Sequence, residues 1–204
     1  NGDKLCDVCG ATLAPKVCTV HNDLNGDGIC DTAGCGASVL LDMTEVVFES
    51  KKVSYSGEPQ KLEAIGVPEG ATVVYDVANE YTNVGTYDVT VTVTKQGYND
   101  YTATATLEIV AKSIEIVWNK ADLGTFPANG EEPEFEYTLS GVAEGDEVEV
   151  EFSYSNTCAF TVPGKFTVTA TSKNDNYKIK TTVKTDKKAN QGAFTIDANV
   201  YISF

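Results

Sequence analysis

From about Leu40 onward, apolar and polar residues alternate with a period of two. In Tyr87–Thr94 the odd positions are apolar and the even ones polar. Thr102–Ile109 and Phe166–Thr171 follow the same rule. A strand with one face on a core and one in water produces this pattern, and the Val, Thr and Tyr that fill it suit a pleated, half-buried surface. No stretch keeps a helical period beyond single turns, and Gly, Pro and Asn punctuate the segments. The pattern predicts an all-β chain of short strands. Lys184–Gly192 is polar and loop-like, and Ala193–Phe204 alternates again as a last strand.

The β region repeats itself. Gly66-Val67-Pro68-Glu69-Gly70-Ala71-Thr72-Val73 matches Gly141-Val142-Ala143-Glu144-Gly145-Asp146-Glu147-Val148. Ser56-Gly57-Glu58-Pro59 is echoed by Asn129-Gly130-Glu131-Glu132-Pro133, and Gly85-Thr86-Tyr87-Asp88-Val89 by Gly164-Lys165-Phe166-Thr167-Val168. Tyr101 pairs with Tyr177. Each copy is of a size to fold as a small unit. Gly85 and Gly164 are expected at tight turns opening the longest strands. Tyr87, Tyr101, Phe166 and Tyr177 are expected in the cores. The predicted organisation is a Cys/Asp-rich segment over 1–40, one β repeat over 41–112 and a second over 113–204.

Tyr55-Ser56-Gly57-Glu58-Pro59, Gly66-x-Pro68-x-Gly70-x-x-Val73-x-Tyr75, Asn83-Val84-Gly85-Thr86-Tyr87-x-Val89, Tyr98-Asn99-x-Tyr101 and Ala105-Thr106-Leu107-x-Ile109 together resemble the MBG-type repeats of bacterial surface adhesins. The second copy is similar to the longer YDG-like variety, with a looser opening at Trp118–Gly124. The resemblance spans most of 45–184. It implies secretion, a cell-surface array, and adhesion or spacer duty, with no catalytic residues. The fold expected is two tandem Ig-like β-sandwich repeats, with a β-grasp-like variant as the alternative because each copy is short for an Ig domain.

Ahead of the strands the chemistry changes. Asp23-Leu24-Asn25-Gly26-Asp27-Gly28-Ile29-Cys30-Asp31 places oxygen side chains at alternate positions. A hard cation such as Ca2+ takes roughly six to eight oxygens, and a glycine at the sixth loop position lets the chain curl around it. Asp23, Asn25, Asp27, the Ile29 carbonyl and Asp31 are the candidate ligands. The stretch resembles the calcium loops of dockerins, EF-hands and thrombospondin repeats. It departs from the EF-hand at the twelfth position, where Gly34 stands in place of the usual Glu and leaves Asp31 to substitute. The plainer reading is a solvated Asn/Asp/Gly turn.

Interleaved with these acids are Cys18-x-x-His21 and Cys30-x4-Cys35. Three thiols and an imidazole suit a closed tetrahedral Zn2+ site. A disulfide among Cys18, Cys30 and Cys35 is the competing reading. Asn1-Gly2-Asp3-Lys4-Leu5-Cys6-Asp7-Val8-Cys9-Gly10 aligns with Asn25–Asp31 and Cys35-Gly36, so this segment is itself repeated. It resembles the Cys/Asp-rich units found ahead of repeat arrays in secreted proteins of Gram-positive bacteria. Cys158 is separate and reads as a buried thiol, with a long-range bridge as the alternative.

Charge narrows the partners. The chain carries a net −15, with 30 acidic residues and 15 basic ones, all lysine. Nucleic acid and anionic membranes require a basic face, which this composition does not supply. No apolar run is long enough to span a bilayer. The first residue is Asn1 and no secretory h-region is present, so we expect a fragment of a longer secreted protein that works as a monomer. His21 is the sole histidine, which excludes Ser-His and Cys-His pairs from any catalytic scheme without it. A non-catalytic surface module is expected, one that contacts a host or dietary glycan, a glycoprotein or a neighbouring surface protein. Trp118 and Tyr98 are the candidate ligand-binding aromatics, with packing between repeats as the alternative role for Trp118. A third alternative is an intramolecular Lys–Asn crosslink of the kind common in surface β-domains.

Overall fold

The computed structural model describes residues 21–32, 35, 37–120, 122–155, 160–181 and 190–197. Among them are eleven strands and no helix. The expected all-β class is what the structure shows. A β-grasp arrangement requires a helix packed across the sheet, and the described residues contain none.

The strands are β1 (Lys51–Ser54), β2 (Thr72–Tyr75), β3 (Gly85–Thr94), β4 (Tyr101–Val110), β5 (Lys112–Trp118), β6 (Asp122–Pro127), β7 (Tyr137–Ser140), β8 (Val150–Tyr154), β9 (Gly164–Ser172), β10 (Tyr177–Ile179) and β11 (Gln191–Asp197). They form three sheets, ordered β1-β4-β3-β2, β10-β5-β7 and β6-β11-β9-β8. The two four-stranded sheets are the same design. β11 runs antiparallel to β9 and parallel to β6. In the first sheet, Ser50 bonds Thr106, Lys52 bonds Glu108 and Tyr55 bonds Val110, so β1 likewise runs parallel to β4. Of the expected last strand, Ala193–Asp197 lies in β11, in the place that β4 holds in the first copy, while residues 198–204 lie outside the described residues; β11 also takes in Gln191 and Gly192 from the expected loop.

The chain divides into two compact units. The described residues of the first fall within 1–51, 61–79 and 88–106, and those of the second within 52–60, 80–87 and 107–204.

Alternation predicted β3 and β4 with their faces correctly assigned. Val89, Val91 and Val93 on β3, and Ala105, Leu107 and Ile109 on β4, are buried. The threonines between them face out and pair across the hairpin, Thr90 with Thr104 at 3.0 Å and Thr92 with Thr102 at 3.5 Å. Such cross-strand pairs each add a few tenths to about 1 kcal/mol.

In the second unit, Trp118 of β5 and Tyr137 of β7 pack against Phe152 of β8, bringing the sheets β10-β5-β7 and β6-β11-β9-β8 into contact. Between them Val168, Phe194 and Ile196 form a buried centre ringed by Trp118, Phe126, Phe135, Phe152, Tyr154 and Phe166. Most of these rings meet edge to face, as with Phe135 and Phe194 at 5.3 Å and Phe135 and Phe152 at 5.5 Å. This geometry sets the positive edge of one ring against the negative face of the next.

The repeated glycines have two different explanations. Gly66, Gly70, Gly141 and Gly145 all have positive φ, between 69° and 91°, where a Cβ is unfavourable. Gly85 and Gly164 do open the long strands, but neither has a positive φ. The ring two residues on folds back over each one, Tyr87 over Gly85 and Phe166 over Gly164. A Cβ would crowd that ring, at 2.7 Å over Gly85 and 3.3 Å over Gly164, so these glycines accommodate a ring overlay rather than the expected tight turn. Of the four recurring aromatics, Tyr177 is buried, while Tyr87, Tyr101 and Phe166 are half-buried.

Candidate metal centre

The segment from His21 to Ser38 is drawn together by backbone bonds. Ile29 bridges Ser38 antiparallel, Cys30 N donates to Ala37 O at 2.8 Å, and Val39 N donates to Gly28 O at 2.8 Å. Gly28 makes this return possible with φ +79°. Asp31 N donates to Asn22 O at 2.7 Å, which holds residue 22 beside residue 31. Cys35 N donates to Thr32 O at 2.9 Å, turning the Cys35 side chain back.

The result is a cluster. The metal-binding atoms of His21, Cys30 and Cys35 all lie within 4.8 Å of one another. His21 Nδ1 is 3.4 Å from Cys35 Sγ. Asn22 N donates to Cys30 Sγ at 3.4 Å. Cys30 is buried, Cys35 half-buried and His21 exposed. The Thr32 side chain, together with the Asn22 and Thr32 backbones and His21, pulls the Cys30 thiol from 9.0 down to about 5, against the opposing effect of burial. These contacts favour the thiolate, the form that ligates metals. Cys18, the remaining candidate of this set, lies outside the described residues, as do Cys6, Cys9 and Cys158.

The acidic loop is organised differently. Asp23 Oδ1 accepts from Gly26 N at 2.7 Å and Asp27 N at 3.2 Å, and its Oδ2 accepts from Gly28 N at 2.8 Å. Asn25 Oδ1 accepts from Asp27 N, Asp27 Oδ1 from Ile29 N, and Asp31 Oδ2 from Leu24 N. Each candidate side chain thus turns an oxygen onto backbone N–H groups of its own loop. Among the described residues, the side chains whose ligand atoms converge in threes are His21, Cys30 and Cys35, and not the loop acids.

This segment is seated on the turn between β3 and β4. Leu41 N donates to Gly97 O and Asn99 N to Leu41 O. Asn99 Nδ2 donates to Asp42 Oδ1 at 2.7 Å, and Leu40 packs where a side chain on Gly28 would stand. Tyr98 lies in that turn, half-buried, with Lys95 Nζ 4.9 Å from its ring centroid. Trp118 belongs to the second unit. Its ring packs with Phe135, Tyr137 and Phe152 against the sandwich core, and its indole Nε1 is buried without a hydrogen-bond partner. An open groove of about 720 Å³ nearby is lined by Glu132, Glu134, Phe135, Glu151, Phe152 and Lys173, among others.

A third arrangement was not anticipated. Tyr55 and Tyr177 both donate to Asp146 Oδ2, Tyr55 at 2.7 Å, and Tyr177 also accepts from Ala143 N at 3.0 Å. The Asp146 hydrogen bond, with burial behind it, pushes the Tyr55 hydroxyl up to about 12. Burial and then Asp146 raise Tyr177. The Tyr177 and Tyr55 hydroxyls lower Asp146. One signal in the sequence marks it: Asp146 stands where the matching first-copy position has Ala71.

Residues 44–113 match the family model of the MBG domain. That stretch holds β1 to β4. No curated protein matches the chain. Among solved structures, the chain is similar to Drosophila N-cadherin EC1-4 at 10% identity and TM-score 0.26, covering 73% of this chain and 47% of that one. It is similar to the Protocadherin GammaB4 extracellular domain at 15% identity and TM-score 0.25, covering 74% and 32%. A third is Bacteroides ovatus SGBP-B of a mixed-linkage glucan utilization locus, in complex with mixed-linkage heptasaccharide, at 10% identity and TM-score 0.21, covering 79% and 69%. The chain thus spans less than two thirds of the two cadherin-type chains. No helix among the described residues is long and apolar enough to cross a membrane.

Proposed function

We propose that this chain is a non-catalytic module of an extracellular surface protein that serves adhesion. In this reading the β strands are the scaffold, and a cation-stiffened segment precedes them. The observation that carries it is the match of residues 44–113 to the MBG domain, a repeat of non-enzymatic surface modules. In this proposal the chain is organised as a Cys/Asp-rich metal-binding segment over 1–40 and β repeats over 41–112 and 113–204. Contact with a glycan, a glycoprotein or a neighbouring surface protein would fall on exposed faces such as the groove at Glu132, Phe135 and Phe152. Ca2+ would be taken by the Asp23–Asp31 loop, supported by its alternate oxygens and by the turn at Gly28.

A second reading is a spacer that holds another domain away from the cell wall. The packing of Trp118 favours it, since that ring is committed to the aromatic interior. Binding of the purified chain to immobilised mucin and a panel of insoluble polysaccharides separates the two. Saturable binding that Glu151→Gln or Glu132→Gln weakens supports adhesion through the groove. No binding by a chain that melts cooperatively supports the spacer.

A further inference from the structure

We propose that His21, Cys30 and Cys35 are ligands of one structural Zn2+ ion, held between the start of the acidic loop and the bridge at Ser38. The donor set is the first argument. Two sulfurs and an imidazole suit Zn2+, whereas Ca2+ and Mg2+ take oxygens. Distance is the second. In a tetrahedral site, with sulfur about 2.3 Å and nitrogen about 2.1 Å from zinc, the two donors stand about 3.6 Å apart. His21 Nδ1 and Cys35 Sγ are 3.4 Å apart, and Cys30 Sγ lies within 4.8 Å of both.

The scaffold is the third argument. A metal-bound thiolate buried in protein needs an N–H to share its charge, and Asn22 N supplies one to Cys30 Sγ. The bonds that bring the three together run through the backbone: Asp31 to Asn22, Cys30 to Ala37 and Cys35 to Thr32. The site is therefore assembled by the chain's own turns rather than by chance proximity of long side chains. A tetrahedral ion takes a fourth donor. Cys18, which precedes His21 in the Cys18-x-x-His21 spacing, is outside the described residues. The inference stands apart from the adhesion reading, because a spacer would need a stiff joint as much as an adhesin.

The test is a cobalt titration of the full chain, reduced and stripped of metal. Co2+ reports tetrahedral geometry, and its thiolate charge-transfer band counts sulfur ligands. The reduced chain should bind Co2+ with that band and release it to Zn2+. Cys30→Ser and Cys35→Ser should each remove one thiolate's share of the intensity. His21→Ala should keep the band and lose at least tenfold in Zn2+ affinity. Undiminished intensity in both serine variants, with loss in a Cys6→Ser/Cys9→Ser chain, would place the metal elsewhere and overturn the proposal. Failure of the reduced chain to bind Co2+ would also overturn it, and disulfides in the unreduced mass would then account for the cysteines. Should the variants not fold, zinc-edge X-ray absorption of the unmutated chain decides: a sulfur and nitrogen shell supports the site and an oxygen shell overturns it.

Discussion

Tyr55 and Tyr177 meet edge to face with ring centroids 5.3 Å apart, and both hydroxyls donate to the same oxygen of Asp146. Three residues distant in sequence thereby share one hydrogen-bonded centre. Its titration gives two edges to the stability of the second unit. Asp146 is held below its usual 3.8 by the hydroxyls of Tyr177 and Tyr55. A carboxylate with a depressed folded value contributes stability above the unfolded value, which is lost as pH falls below about 4. Tyr55 is raised from 10.0 to about 12. Its contribution is complete below pH 10 and is lost as pH rises from 10 towards 12. Melting temperature measured against pH should fall at both ends. Asp146→Asn should flatten the acid edge, and an unchanged acid edge in that variant would remove Asp146 as its source.

Asn79 acts as a piece of backbone. Its Nδ2 donates to Leu62 O at 2.6 Å and its Oδ1 accepts from Leu62 N at 3.0 Å, in a buried position. The side-chain amide therefore closes both groups of Leu62 as a neighbouring strand would. Two buried hydrogen bonds at about 1 kcal/mol each put the cost of Asn79→Ala near 2 kcal/mol. Asn79→Asp should cost at least as much, because a carboxylate cannot donate to Leu62 O. Urea unfolding of the three chains checks the order; equal stability of wild type and Asn79→Ala would refute the role.

Gly66 and Gly70 separate two reasons for a glycine. Both have positive φ, but a Cβ on Gly66 would stand 1.9 Å from the Glu45 carbonyl oxygen, while a Cβ on Gly70 meets nothing within 4 Å. Gly70→Ala should cost about 1–2 kcal/mol, from the left-handed conformation alone. Gly66→Ala adds a clash with backbone and should cost more than about 3 kcal/mol, on the order of a severe core substitution. Thermal denaturation of the two variants ranks them directly.

The proposed calcium loop is testable without disturbing the strands. Hydrogen exchange should show the amides of Gly26, Gly28 and Ile29 slowed by added Ca2+. Asp27→Ala should abolish that slowing and leave β3 and β4 amides unchanged, since its contacts lie within the loop at Asn25 and Ile29. Slowing that persists in the variant, or that spreads equally into β3 and β4, would exclude a separate Ca2+ site at Asp27.

Much of the fold was legible because it is written locally. Which residues of β3, β4 and β9 face inward follows from a period of two, and each side chain's face depends only on its neighbours along the strand. The matching glycines at 66, 70, 141 and 145 were legible for the same reason, since a positive φ is a demand of one residue on its own backbone. The Cys30-x4-Cys35 spacing and His21 were visible as candidate ligands because their residue types stand close together along the chain.

What depended on the tertiary structure was pairing at a distance. Nothing in the pattern of Asp122–Pro127 says that it lies parallel to Gln191–Asp197, because parallel partners are joined by long connections whose course alternation does not encode. Trp118 reads in sequence as either a surface platform or a packing residue. Its meeting with Phe135 and Phe152 follows from how two sheets stack. Asp146 between Tyr55 and Tyr177 is of the same kind: a polar residue in a turn becomes a hub only when three separate segments converge on it.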